Sequence, residues 1–196
     1  MNRRFMLMAG VLTLILAALP TQVGASPHYG GPSGGCAPHG CSVFLAANDE
    51  IVLAGNNEDW KNPFTKLWFI PPTEGTFGQM YVGFDNYYPQ GGMNDQGLFF
   101  DGLAVPDGGV VPPDTDKPDI PADVLSILMA TCADVQCVVD YVNAHDRVLL
   151  TNAQFFFGDA SGDAVIIEPI EMIRKSGDFL VSTNFFQSVT PPDDIT

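Results

Sequence analysis

Cys41, preceded by Gly40 and followed by the apolar run Ser42-Val43-Phe44-Leu45-Ala46-Ala47, is the residue whose setting could do chemistry. If the Gly40-Cys41 bond is cut, the thiol and an α-amine sit on one residue. That amine, with an ordinary pKa of about 7.7 to 8.0, can take the thiol proton and make the sulfur a nucleophile. Gly40 leaves the bond unhindered, and a carboxylate is needed to hold the amine; Asp59 is the candidate. Cys36 also follows a glycine, but Ala37-Pro38 cannot begin the strand that would present its thiol. Outside such a context a cysteine is more often a small buried hydrophobe or half of a disulfide.

The elements that would position this chemistry are legible around it. The β-branched and aromatic content of residues 42–47 suits a strand buried on at least one face. Asn48-Asp49-Glu50 supplies a turn, and Ile51-Val52-Leu53-Ala54 returns antiparallel, delivering Asn56, Asn57 and Asp59 near the cysteine. Further short strands are expected at 66–70, 79–84 and 98–105, with the glycine-rich stretch 91–97 read as a turn. Pro106 to Pro121, with prolines at 106, 112, 113, 118 and 121, reads as a surface connector. Apolar residues at 124, 125, 127 and 128, then at 135, 138, 139 and 142, give the stripe of two short helices that cover a sheet. Strands resume at 154–157, 164–168 and 179–182. Strands, a helical pair and strands again describe an α+β layered domain.

The aromatic residues Trp60, Phe64, Trp68 and Tyr87 could line an acyl pocket, although aromatics at strand spacing more often belong to a core. His145 follows the helical stripe, where a charge at a helix C-terminus accounts for it. Cys132 and Cys137 in one continuous helix would lie at least about 7.5 Å apart along the axis, too far to bridge. A break between them, with Asp134 as N-cap, would allow the bridge; the spacing leaves both states open. Cys36 and Cys41 could also pair, holding the thiol silent.

Residues 1–25 have the form of a secretory signal: Arg3-Arg4, an apolar run from Phe5 to Leu19, and the small-residue end Val23-Gly24-Ala25. That run is shorter than the roughly 18 apolar residues of a spanning helix, so export to the periplasm or the exterior is expected rather than stable membrane insertion. Its removal takes two of the eight basic residues and none of the 23 acidic ones, making a net charge of −15 more negative still. Such a surface repels nucleic acid and anionic lipid. Residues 26–40 are rich in Gly, Pro and Ser and read as a leader or propeptide. His28, Cys36 and His39 beside Cys41 make only a crude ligand set that fits no zinc spacing, so neither a metal nor a cofactor is expected.

Four motifs in order resemble the choloylglycine hydrolase and penicillin V acylase group of N-terminal nucleophile hydrolases, with their acyltransferase relatives. They are Cys41-Ser42 opening a strand, Gly55-Asn56-Asn57-Glu58-Asp59, Gly92-Met93-Asn94-Asp95-Gln96-Gly97-Leu98, and Gly158-Asp159-Ala160-Ser161-Gly162 with Ile166-Ile167-Glu168 leading to Thr183-Asn184. Each is common alone; together they span residues 41–184 with compatible spacing. The resemblance implies a four-layer αββα sandwich over residues 41–196, and cleavage of a linear, non-peptide amide of a small molecule. It implies Cys41 as nucleophile, Asp59 as the carboxylate near the amine, and Asn184 as an oxyanion-hole donor. Asn56 stands where the bile-salt enzymes carry arginine; it can hydrogen-bond but supplies no charge. Ala104 stands where they carry a second oxyanion-hole asparagine.

Members of this group continue well past the strand that ends at Asn184, whereas twelve residues follow it here. The expectation is a C-terminally truncated sandwich whose bare apolar sheet surface favours self-association into a homo-oligomer. The activity expected is that of an exported, self-processed cysteine amidase working through a thioester. The alternative is a non-catalytic fragment of the same fold that binds a ligand or partner.

Overall fold

The structure is a computed structural model and describes residues 40–60, 62–84, 87–105, 116–147, 150 and 152–189. The expected signal, most of the leader with His28, Cys36 and His39, and most of the proline-rich connector lie outside these residues.

A three-stranded antiparallel sheet is formed by β1 (Ser42–Ala47), β2 (Val52–Asn57) and β10 (Phe179–Thr183), with β1 in the centre. The β1–β2 loop closes as Asn48 Oδ1 accepts from the backbone of Glu50 and Ile51, both at 2.9 Å. A seven-stranded antiparallel sheet follows chain order: β3 (Lys66–Ile70), β4 (Gln79–Gly83), β5 (Pro89–Asn94), β6 (Phe99–Ala104), β7 (Ala153–Gly158), β8 (Ala164–Ile167) and β9 (Met172–Arg174). Between β6 and β7 stand two helices, α1 (Val124–Thr131) and α2 (Val135–Asn143).

Side-chain alternation in β8 shows how the layers meet. Val165 and Ile167 pack with Leu128, Val135, Val138 and Val142 of the helices, while Ala164 and Ile166 pack with Val43 and Leu45 of the small sheet. All four are buried because both faces of the strand are covered, which is why it reads as an unbroken apolar run. The described residues therefore form an α/β/β stack. The fourth layer of the expected sandwich has no counterpart among them. The outer face of the small sheet carries Phe44, Leu53, Phe179 and Val181, exposed by 42%, 48%, 64% and 47%.

Two strands escaped the sequence reading. β5 was hidden by its glycines, yet Gly91 and Gly92 are strand residues whose bare backbones admit close neighbours. A Cβ on Gly92 would lie 2.6 Å from Met80 O, and one on Gly91 would lie 2.9 Å from Asp101 Oδ2. β9 has three residues, too few to show a period. Of the aromatic residues expected in a core, Trp60, Phe64 and Tyr87 are instead exposed, whereas Trp68 packs against the helix-side core. His145 stacks on Tyr141, with ring centroids 4.4 Å apart, and its Nδ1 lies 2.8 Å from Tyr141 O.

The helical break between Cys132 and Cys137 is present and the pair is bridged, with Cα atoms 5.4 Å apart. Asp134 caps α2 by accepting from Cys137 N at 2.8 Å, and Asp159 Oδ2 accepts from Val135 N at 2.9 Å. Asn94, expected as a turn residue, does more. Its Nδ2 donates to Met129 O and Cys132 O at 3.0 and 2.8 Å, and its Oδ1 accepts from Gln96 N and Leu98 N. This buried amide ties the β5–β6 hairpin to the end of α1. Asn94→Ala should cost roughly 2 to 4 kcal/mol in urea unfolding, since several buried partners lose their bonds together. A loss below about 1 kcal/mol would show that the tie is dispensable.

Candidate active site

The site is set by two strand registers. In the β1–β2 hairpin Ser42 pairs with Asn57 and Val43 with Asn56; against β10, Ser42 pairs with Thr183. One further step along both registers puts Cys41 between Glu58 on one side and Asn184 on the other. The hydrogen bonds agree. The Cys41 thiol donates to Glu58 Oε2 at 3.2 Å, and the Cys41 backbone N–H donates to Asn184 Oδ1. Asn184 Nδ2 donates to Ala104 O at 2.7 Å, fixing the amide from the neighbouring sheet. Gln154 holds the same segment by donating from Nε2 to Thr183 O and, at 3.0 Å, to Phe185 O.

Asn56 shares the face of Val43 and links two carboxylates. Its Nδ2 donates to Asp101 Oδ2 at 2.5 Å and to Glu58 Oε1 at 3.2 Å. Asp101 comes from β6, opposite Gly91, and is 1% exposed; its Oδ1 has no hydrogen-bond partner. Neither Glu58 nor Asp101 has a cationic partner among the described residues.

Of the residues expected from sequence, Cys41, Asn56 and Asn184 are thus brought to one corner. Asp59 contributes a backbone N–H to the Cys41 sulfur, while the carboxylate at the thiol is that of Glu58. Glu58, Asp101 and Gln154 were missed. A signal for Glu58 existed: it has the same alternation phase as Val52, Ala54 and Asn56, which face the same way as Val43, whereas Asp59 is out of phase. Asp101 could be suspected only as a charge inside an apolar strand. Gln154 had no local signal.

The electrostatics oppose ionisation. Burial, aided by the Glu58 hydrogen bond and the Glu58 and Asp101 charges, pushes the Cys41 thiol up to about 11 against the lowering effect of the Asp59 N–H. Asp101 is raised to about 8, first by burial and then by the Glu58 charge, with the Asn56 hydrogen bond opposing. Cys41 is a free thiol; its suggested partner Cys36 lies outside the described residues. Among the described residues no group of three acidic, histidine or cysteine side chains could hold a metal, and no helix is long and apolar enough to cross a membrane.

The face that carries Asp101 continues as apolar rows toward β3. Phe69, Met80, Met93 and Phe99 pair in register across four strands, and Leu67, Val82, Gly91 and Asp101 form the next row. Phe69, Met80 and Met93 line an open groove of about 350 Å³.

Asp101 also yields a sign for pH. Folded, it keeps its proton to about pH 8; unfolded, it releases it near its ordinary 3.8, so stability falls as pH rises through that window. Asp101→Asn should therefore gain on the order of 2 to 5 kcal/mol over the parent at pH 9 relative to pH 4, read by urea unfolding. A difference between the two proteins that stays constant with pH would mean that the carboxyl titrates normally.

No family model and no curated protein matches the chain. Among solved structures, penicillin V acylase from Agrobacterium tumefaciens superposes with a TM-score of 0.54 at 19% identity, covering 74% of this chain and 50% of that one. A mutant of conjugated bile acid hydrolase from Clostridium perfringens gives 0.55 at 21%, covering 72% and 52%, and a second variant of that enzyme gives 0.53 at 20%, covering 71% and 52%. This chain therefore spans about half the length of these hydrolases, and over that half it shares the fold of penicillin V acylase and conjugated bile acid hydrolase.

Proposed function

We propose that the chain is an exported cysteine amidase that frees its own nucleophile by cleavage of Gly40-Cys41 and hydrolyses a linear acyl amide of a small molecule. The observation that carries this reading is the thiol of Cys41 at the start of β1, flanked in register by Glu58 and Asn184. Before cleavage the Cys41 nitrogen is an amide and cannot act as a base, in keeping with a thiol pushed up to about 11. After cleavage the α-amine takes the thiol proton, with the Asp59 or Glu58 carboxylate holding it in place.

The sulfur then attacks the amide carbonyl carbon. One Asn184 Nδ2 hydrogen is spent on Ala104 O; the other is free for the oxyanion that forms. Collapse breaks the carbon–nitrogen bond, the protonated amine gives its proton to the leaving nitrogen, and a thioester remains. Water cleaves it and restores the thiol. The apolar rows from Phe69 to Met93 suit the acyl part. The outer face of the small sheet, with Phe44, Leu53, Phe179 and Val181 exposed, is where the helices of a fourth layer would lie, or a second copy of the chain.

The high thiol value also favours a second reading, a non-catalytic module of the same fold that binds a ligand or partner. Intact mass and amino-terminal sequencing after export separate the two. The amidase reading expects a chain that begins at Cys41; a chain that begins upstream, with no shorter form, hands the lead to the binding module. Cys41→Ala should lose both cleavage and turnover, whereas Cys41→Ser should keep cleavage with slower turnover, because a hydroxyl needs more activation than a thiol. Normal cleavage and activity in Cys41→Ala would end the proposal.

A further inference from the structure

Among the described residues, the nucleophile's corner combines two carboxylates and one bridging amide with no cation. The geometry points to a substrate that bears a positive charge on the amine side of its scissile amide, paired with Glu58 and Asp101: an acylated diamine, polyamine or basic amino acid. This deepens the amidase reading and rests on it.

Three observations carry the inference. Glu58 Oε2 lies 3.2 Å from the sulfur, so any amide that reaches Cys41 brings its neighbouring groups within reach of that carboxylate. Asp101, although 1% exposed, has an oxygen without a partner, an unmet acceptor in the same cluster that Asn56 satisfies on one side only. Asn56, the side chain that bridges the two carboxylates, carries no charge, and no described lysine, arginine or histidine pairs with Glu58 or Asp101. An anionic group beside the amide would meet the Glu58 and Asp101 carboxyls with only the α-amine of a cleaved Cys41 to offset them, and a neutral group without a donor would leave Asp101 Oδ1 unpartnered.

The charge belongs on the amine side. The rows that approach Asp101 from β3 to β5 carry the apolar side chains Phe69, Met80 and Met93 beside Leu67 and Val82, and the carboxylate at the rim of their groove, Asp95, already accepts from Gly78 N and Gln96 Nε2. Burial does most to keep the thiol protonated and the Glu58 hydrogen bond and charge add to it; a cation at Glu58 would offset that added part and so assist attack.

The test uses the full exported chain and two thiol reagents of equal reach and opposite charge, trimethylammonium-ethyl and sulfonatoethyl methanethiosulfonate. Labelling is read on the peptide that contains Cys41 and scaled to the same reagents on mercaptoethanol. The cationic reagent should be favoured roughly tenfold or more. Glu58→Gln should shrink that ratio severalfold, and about 1 M salt should shrink it in the parent protein. Because the ratio cancels the thiol's own ionisation, a ratio equal to that of mercaptoethanol, or one unmoved by Glu58→Gln, overturns the inference.

Hydrolysis is the second arm. The decanoyl amide of 1,3-diaminopropane should exceed decanoylglycine in kcat/KM by roughly tenfold, corresponding to about 1.4 kcal/mol. The opposite order overturns the inference while leaving the amidase standing. If neither amide is cleaved, the amidase reading fails for these acyl chains, and the labelling ratio decides whether the corner selects cations.

Discussion

The site exists because β1 is held in register on both sides at once. Ser42 is opposite Asn57 in the hairpin and opposite Thr183 across the long-range pair, so the residue before it must meet Glu58 and Asn184. A slip of one residue on either side would send Val43 and Leu45 from the inter-sheet core to the open face, replacing buried apolar surface with exposed. The core therefore enforces the register, and the register assembles the chemistry. Gln154 and Ala104 of the larger sheet reinforce the β10 side, where no tight turn helps.

Electrostatics set the state of that chemistry. In the uncleaved chain burial first, and then Glu58 and Asp101, discourage a negative sulfur, and its value of about 11 leaves almost none of it ionised at neutral pH. An α-amine released at Cys41 would place a cation where none now stands, opposing Glu58 and Asp101 together. The same carboxylates that silence the uncleaved residue would then hold the amine that activates it. One constellation can thus serve both states, with the peptide bond at Gly40 as the difference.

What the sequence disclosed follows from the range of each interaction. The hairpin, both helices and most strands were legible because turn chemistry and side-chain period act over a few residues; the helical break at Asp134 was legible as a cap, which left the Cys132–Cys137 bridge open until the backbone was seen. β5 was not, since its glycines are required by neighbours on β4 and β6 that lie close only after folding. The choice of Asp59 to hold an α-amine rests on its place at the hairpin's far end; the strand's period puts Glu58 on the side of the thiol. Asp101 and Gln154 act across sheets, over separations of 45 and 29 residues to their partners, and no local pattern reports such contacts.

Asn56 and Asp101 are best understood together. An arginine at position 56 would neutralise Asp101 and leave Glu58 as the negative group at the thiol. The shorter amide instead bridges both carboxylates through one nitrogen, satisfying one oxygen of each and cancelling the charge of neither. Burial first, and then the nearby Glu58 charge, raise Asp101 to about 8 against the opposing Asn56 hydrogen bond. Near neutral pH Asp101 keeps its proton in the folded chain, and a cation beside it would draw that proton off. The corner's negative charge would therefore grow in answer to a cation placed beside it.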